Sequence, residues 1–221
     1  MRKFASEFIG TAILLMAIVG SGIMAQNLAK DVGIQLLINT FSIIFALYIL
    51  ITLLAPISGA HLNPVVTLYR RFENNISNQD LLNYIFAQIT GGVLGVILAN
   101  LMFGRKAIEL STTNRNGIGL FLGEVIATLG LLTVITMKSE QASTLVPAWI
   151  GSALLFTSST SFANPAVTLS RSLSDTFTGI APASILQFLL AQFLAIPILV
   201  LGKKFLREGR SEEHTSELQS H

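Results

Sequence analysis

Asparagine-proline pairs offer this chain its clearest hydrogen-bonding chemistry, and they occur in two nearly identical strings. The strings are Asn63-Pro-Val-Val-Thr-Leu-Tyr-Arg70 and Asn164-Pro-Ala-Val-Thr-Leu-Ser-Arg171. Asparagine is favoured at a helix cap, and proline suits the first helical position because it lacks the N–H that would be unpaired there. We therefore expect two short helices to begin at Pro64 and Pro165. The backbone carbonyls of the preceding loops, 58–62 and 159–163, would be free to accept hydrogen bonds.

Other side chains that could bind or react are few. His61 is the only histidine outside residues 210–221, and the chain contains no cysteine. A lone histidine does not form a metal site, and thiolate chemistry is excluded, so we expect His61 to pack within the loop or line a pore. No set of nucleophile, base and orienting group is present, so the sequence predicts neither an enzyme nor a cofactor.

The elements that must position these residues are membrane helices. Of the 221 residues, 52% are hydrophobic and 12% are charged, and the mean hydropathy is +0.67. Soluble domains have about 25% charged residues. The net charge of +2 is scattered and forms no basic surface for nucleic acid. Six stretches could cross about 30 Å of hydrocarbon as helices: 4–24, 32–55, 81–103, 117–137, 142–158 and 180–201.

The chain also repeats itself, with halves at about 1–110 and 117–205. Glu7-Phe-Ile-Gly-Thr11 is matched by Glu124-Val-Ile-Ala-Thr128, and Ala87-Gln88 by Ala191-Gln192. Each half has three spans, an odd number, so the second half should enter the membrane from the opposite face. A helix from Pro64 to Arg71 is about 12 Å long, roughly half a bilayer. The predicted fold is an all-α membrane protein in which six transmembrane helices surround two re-entrant half-helices that meet near the midplane.

These features together resemble the aquaporin, or major intrinsic protein, family over residues 1–209. The resemblance implies a passive channel in which Asn63 and Asn164 donate amide hydrogens to the permeant at the midplane. It also implies a homotetramer in the lipid bilayer. Glu7 and Glu124 would accept backbone N–H groups of the two re-entrant loops, which would otherwise be unpaired.

One position departs from the family pattern. The family usually has an arginine three residues after the second asparagine, where this chain has Val167. That arginine belongs to the narrowest ring of the family's pore, whose other members fall by ungapped spacing on Ile43, Ser152 and Ser161. Without its charge and five donors, we expect a wider and less hydrated constriction.

The wider ring favours uncharged solutes larger than water. The string from Phe156 to Pro182 is also similar to a bacterial aquaglyceroporin-like subgroup found with arsenic-resistance genes. That similarity implies that small neutral solutes permeate the channel in addition to water, namely glycerol-like polyols and arsenite as As(OH)3.

Two questions stay open at this point. A proton-coupled secondary transporter would also use inverted repeats and buried acids, here Glu7 and Glu124. Arg171 lies one turn beyond Val167 and could add charge in an outer vestibule. We expect instead that Arg171, like Arg70, marks a helix end at the headgroup level.

Charges near the ends of the spans predict the orientation of the chain. Lysine and arginine are slightly more numerous on the side that holds both termini, which predicts cytoplasmic termini. The resemblance to the bacterial subgroup implies the inner membrane of a bacterium. Residues 210–221 resemble a translated sequencing adapter, so we exclude them from the predicted channel domain, 1–209.

Overall fold

The computed structural model describes the backbone of residues 1–219 and the side chains of residues 1–205. The expectation for the tail, residues 210–221, lies outside the described side chains. The helices are α1 (Arg2–Leu28), α2 (Val32–Ser58), α3 (Pro64–Phe72), α4 (Asn78–Met102), α5 (Ile118–Met137), α6 (Ala142–Phe156), α7 (Pro165–Arg171) and α8 (Ile185–Gln219). Short 3-10 turns, Ser139–Gln141 and Pro182–Ser184, precede α6 and α8. The expected all-α architecture is confirmed.

Six of these helices correspond to the six predicted spans. Within the described residues, α1, α2, α4, α5 and the segment Pro182–Phe205 are long and apolar enough to cross a membrane. The remaining span, α6, has 15 residues, or about 22 Å at 1.5 Å per residue. The 3-10 turn Ser139–Gln141 lengthens it at its N-terminal end.

The two halves pack in the same way. Helix α1 packs against α2 and α4, and α5 packs against α6 and α8 in the second half. Contacts between α2 and α6 join the halves. Half-helix α3 contacts α4 and α8, while α7 contacts α8 and α4. Each half-helix is therefore held between long helices from both halves.

The surface of the molecule is apolar and its interior holds buried polar groups. On α2, Phe41, Phe45 and Leu53 are 57%, 60% and 63% exposed. Glu7 and Glu124, by contrast, are fully buried. This distribution suits a lipid solvent, because apolar side chains can face hydrocarbon while polar groups find partners inside the protein.

Candidate functional site

The first turns of the two half-helices meet through their capping asparagines. The side-chain oxygen of each asparagine accepts from the backbone N–H two residues later, at 3.0 Å for Asn63 and 2.9 Å for Asn164. The Nδ2 of Asn63 donates to the carbonyl of Ala163 at 2.7 Å, and that of Asn164 donates to the carbonyl of Leu62 at 2.8 Å. Each amide group has two donor hydrogens, so each asparagine keeps one for another partner.

The loops that precede the asparagines share an unusual backbone. Ala60 and Leu62 have φ values of 47° and 49°, and Ser161 and Ala163 have φ values of 45° and 47°. The left-handed region costs a non-glycine residue about 1–2 kcal/mol. Both loops therefore adopt the same strained conformation, which surrounding hydrogen bonds must stabilise.

Glu7 supplies those hydrogen bonds for the first loop. One carboxylate oxygen accepts from the Ser58 hydroxyl at 2.6 Å and from the backbone N–H of His61 at 3.0 Å. The other accepts from the backbone N–H of Leu62 at 2.7 Å and from the Gln88 amide at 2.8 Å. The carboxylate thus binds the loop directly and ties it to α4.

Glu124 holds the second loop in the same manner. Its carboxylate accepts from the backbone N–H groups of Phe162 and Ala163 and from the Gln192 amide, which ties the loop to α8. Among the described residues, neither Glu124 nor Glu7 lines the cavity that passes the asparagines. The geometry is that of loop support.

His61 lies beside Asn63 in the first loop and lines the cavity. Its Nδ1 and the Thr67 hydroxyl are 3.1 Å apart, and its ring meets the edge of Tyr84 at 5.2 Å between centroids. No group of three metal-ligating side chains occurs in the part of the chain that the structure describes.

A single cavity runs past both asparagines and contacts Arg70 at one end and Arg171 at the other. Pairs related by the repeat form much of its wall: Leu14 with Leu131, Ile18 with Ile135, and Val66 with Val167. We call its two ends the α3 mouth, at Arg70, and the α7 mouth, at Arg171. Between the mouths, mostly apolar walls face the asparagines and loops, which supply donors and acceptors.

Three of the four expected ring residues, Ile43, Ser161 and Val167, line this cavity, but Ser152 does not. Ser152 is exposed on the outer face of α6. Ile150 on the same helix lines the cavity, and a residue two positions further along is rotated by about 200°, onto the opposite face. The expectation for Ser152 is corrected, because counting back through the loop to α6 does not preserve the helix face.

Arg171 is the last residue of α7, as expected, but its side chain is buried rather than exposed. It is only 5% exposed and contacts the cavity at the α7 mouth. Its guanidinium carbon lies 3.5 Å from the centroid of the Phe162 ring, and its Nε donates to the carbonyl of Thr178. The sequence offered one signal for Phe162, since it occupies the repeat position of His61.

The α3 mouth differs in its charge. Arg70 lines the cavity there, and it pairs with Glu73 at 3.5 Å. Glu73 also accepts from the Tyr69 hydroxyl at 2.7 Å and from Lys203 at 3.0 Å. Burial raises the pKa of Glu73, but these hydrogen bonds and the charges of Lys203 and Arg70 outweigh it, so the pKa lies below its usual value. Arg70 is therefore paired with an ionised carboxylate near neutral pH.

Comparison with known proteins gives consistent matches. The family model described as major intrinsic protein matches residues 1–173. The aquaglyceroporin AqpS of Rhizobium meliloti (strain 1021) is 39% identical over 214 residues, covering 95% of this chain and 92% of that protein. An aquaglyceroporin of Toxoplasma gondii is 30% identical, covering 91% of this chain and 78% of that protein. The X-ray structure of the aquaglyceroporin from Plasmodium falciparum has a TM-score of 0.64 at 22% identity, covering 90% of this chain and 93% of that one, and supports the fold alone.

Proposed function

The chain belongs to the major intrinsic protein family, and we propose that it is a passive membrane channel for water and small uncharged solutes. The observation that carries the proposal is the cavity between the half-helices, in which hydrogen-bonding groups are confined to the asparagines, the loops and the mouths. A neutral polar molecule can exchange its hydration for these groups. An ion would have to lose its water against apolar walls, at a far greater cost.

The proposed solutes depend on the expected ring of the pore. Of its expected members, Ile43 and Val167 line the cavity with apolar side chains, and Ser161 adds a small polar one. This composition favours a pore that admits molecules of glycerol size over a pore that passes water alone. We propose glycerol-like polyols and arsenite, as neutral As(OH)3, as permeants. The similarity to aquaglyceroporins from two organisms agrees with a channel for small solutes.

The setting of the channel is part of the proposal. We propose that the chain lies in a bacterial inner membrane with both termini cytoplasmic, which would make the α3 mouth cytoplasmic and the α7 mouth external. The exposed apolar side chains of α2 fit contact with lipid or with further copies in a homotetramer.

A proton-coupled transporter is the weaker alternative. It would use Glu7 and Glu124 to carry protons, but both carboxylates are occupied by loop N–H groups and lie away from the cavity in the described part of the chain. Their arrangement supports a structural role.

The proposed solute selectivity is tested by stopped-flow light scattering on proteoliposomes. Water permeability and glycerol permeability are measured in the same vesicles for the native chain, Val167→Arg and Val167→Leu. Arginine adds bulk and donors that water can use, so we expect the glycerol-to-water ratio to fall about two- to tenfold, equivalent to about 0.4–1.4 kcal/mol of barrier. Val167→Leu, which adds bulk without charge, should change the ratio less. An unchanged ratio in Val167→Arg would place the narrow part of the pore elsewhere.

A further inference from the structure

We propose that Arg171 is a specificity-determining residue of this pore, which donates hydrogen bonds to oxygen atoms of neutral solutes at the α7 mouth and repels cations there. The inference rests on the proposed channel function. It deepens that function by assigning recognition to a residue seven positions after Asn164, where the sequence favoured a helix end over a role in an outer vestibule.

The position of Arg171 is fixed on two sides. Its guanidinium stacks over Phe162 at 3.5 Å, and its Nε donates to the carbonyl of Thr178. A stacked guanidinium with one anchored nitrogen has little freedom to move, which makes its remaining donors a preorganised site. Phe162 is itself buried and packs edge-on against Phe188 at 4.9 Å, so the platform is rigid as well.

The remaining donors of Arg171 have no protein partner. Across the described side chains, its two terminal nitrogens make no hydrogen bond, and no carboxylate oxygen lies within 4.0 Å of its guanidinium nitrogens. Neither terminal nitrogen is among the fully buried polar atoms that have no hydrogen-bond partner, so both keep some exposure. Because Arg171 lines the cavity, these donors are available to a molecule passing through it.

The repeat provides an internal comparison. Arg70 occupies the matching position at the α3 mouth, but Glu73 pairs with it at 3.5 Å. The position that matches Glu73 in the second half is Ser174, whose hydroxyl donates to Asn100 at 2.7 Å. Arg171 at the α7 mouth therefore lacks the carboxylate partner that Arg70 has at the α3 mouth.

A second arginine reinforces this charge. The guanidinium carbon of Arg115 lies 5.2 Å from the Phe162 ring, and the side chain donates to the carbonyls of Gly179 and Phe177 at 2.8 and 3.2 Å. Arg115 does not line the cavity in the described part of the chain. It adds to the positive potential at the mouth without offering its own donors to the solute.

These features select one chemical class of solute. Cations are repelled at the mouth by two guanidinium groups. Anions are attracted there but would next have to pass the apolar side chains of Ile43 and Val167, where the small Ser161 hydroxyl can replace little of their water. Neutral molecules with hydroxyl or carbonyl oxygens gain hydrogen bonds from Arg171 and avoid that cost.

The test compares charge removal inside and outside the cavity. Proteoliposomes hold the native chain, Arg171→Leu, Arg171→Lys or the matched control Arg105→Gln. Arg105 also binds the segment after α7, through the carbonyl of Asp175, but it pairs with Glu109 and does not line the cavity. A trapped pH-sensitive dye reports proton leak, and light scattering reports glycerol and water permeability.

We expect Arg171→Leu to raise proton leak at least about tenfold, equivalent to about 1.4 kcal/mol of lost barrier, and to lower glycerol permeability relative to water permeability. Arg171→Lys should keep proton leak low because it keeps the charge, and Arg105→Gln should match the native chain in both readouts. Should Arg171→Leu fail to insert, Arg171→Gln removes the charge while keeping an amide donor for Thr178, and we expect the same rise in leak.

The outcomes separate this inference from the proposed function. Native vesicles without glycerol flux would overturn the proposed function, and the role of Arg171 with it. Native glycerol flux with an unchanged proton leak and an unchanged glycerol-to-water ratio in the neutral variants would overturn only the role of Arg171. An equal rise in proton leak for Arg105→Gln would also overturn it, because the leak would then depend on surface charge in general and not on Arg171.

Discussion

Single residues decide whether the two strained loops can exist inside the membrane. The backbone N–H groups of His61 and Leu62 point at one carboxylate, Glu7, and those of Phe162 and Ala163 point at another. With no water in hydrocarbon to replace these acceptors, an unpaired N–H would cost several kcal/mol. The carboxylates therefore explain how residues such as Leu62 can keep a left-handed backbone.

This account predicts a folding defect for Glu7→Gln. The substitution replaces one acceptor oxygen by an amide that donates, and it must face donors on Ser58, His61, Leu62 or Gln88. Leaving a buried donor unpaired costs about 1–3 kcal/mol. We expect a lower thermal unfolding temperature in detergent than for Glu140→Gln, a control at an exposed glutamate. Native stability combined with loss of proton-dependent uptake would instead support a proton relay.

At the scale of elements, α4 packs directly against the backbone of α1 at two glycines. A Cβ at Gly95 would overlap the carbonyl of Ala12, and one at Gly91 would overlap the carbonyl of Phe8. Both neighbours are backbone atoms, which cannot rotate away as a side chain can. The two glycines let α4 approach α1 and so place Gln88 within reach of Glu7.

Gly95→Ala should therefore destabilise the protein although alanine is the better helix former. Overpacking a tight contact costs about 1–3 kcal/mol, more than the gain of about 1 kcal/mol in helix propensity. The control is Gly202→Ala, where a Cβ meets no atom within 4 Å. Thermal unfolding in detergent should show a lower midpoint for Gly95→Ala and no loss for Gly202→Ala. Equal unfolding midpoints for the two variants would show that the contact between α1 and α4 has room for the added methyl group.

The elements were also the part of the structure that the sequence predicted best. Apolar length located the spans, and the Asn-Pro pairs located the first residues of α3 and α7, Pro64 and Pro165. These features depend on local chemistry, namely the hydrocarbon thickness and the missing N–H of proline. The repeat, which is visible in the sequence, supplied the inverted relation of the halves.

The side chains at the pore were harder to predict. The position of Ser152 depends on how the loop 157–163 joins α6, and a spacing count carries no information about that path. The burial of Arg171 depends on Phe162 and on the carbonyl of Thr178, which come together only through tertiary packing. Neither contact follows from the local pattern that marked Arg171 as a helix end.

At the scale of the whole molecule, the cavity is a joint product of both halves. Asn63 from the first half donates to the loop of the second half, and Asn164 donates to the loop of the first. The two half-helices are thereby linked directly, and both are packed between long helices from each half. This arrangement suits a fixed pathway, in which solute moves down its own gradient and no carboxylate needs to change its protonation state.

Solute uptake under an imposed proton gradient tests this central claim most directly. Proteoliposomes with equal external glycerol are prepared with and without a pH difference across the membrane, and a protonophore collapses that difference in a third sample. The account predicts the same initial rate in all three samples and a final internal concentration equal to the external one. Uptake that exceeds the external concentration under the gradient, and is abolished by the protonophore, would contradict a passive channel.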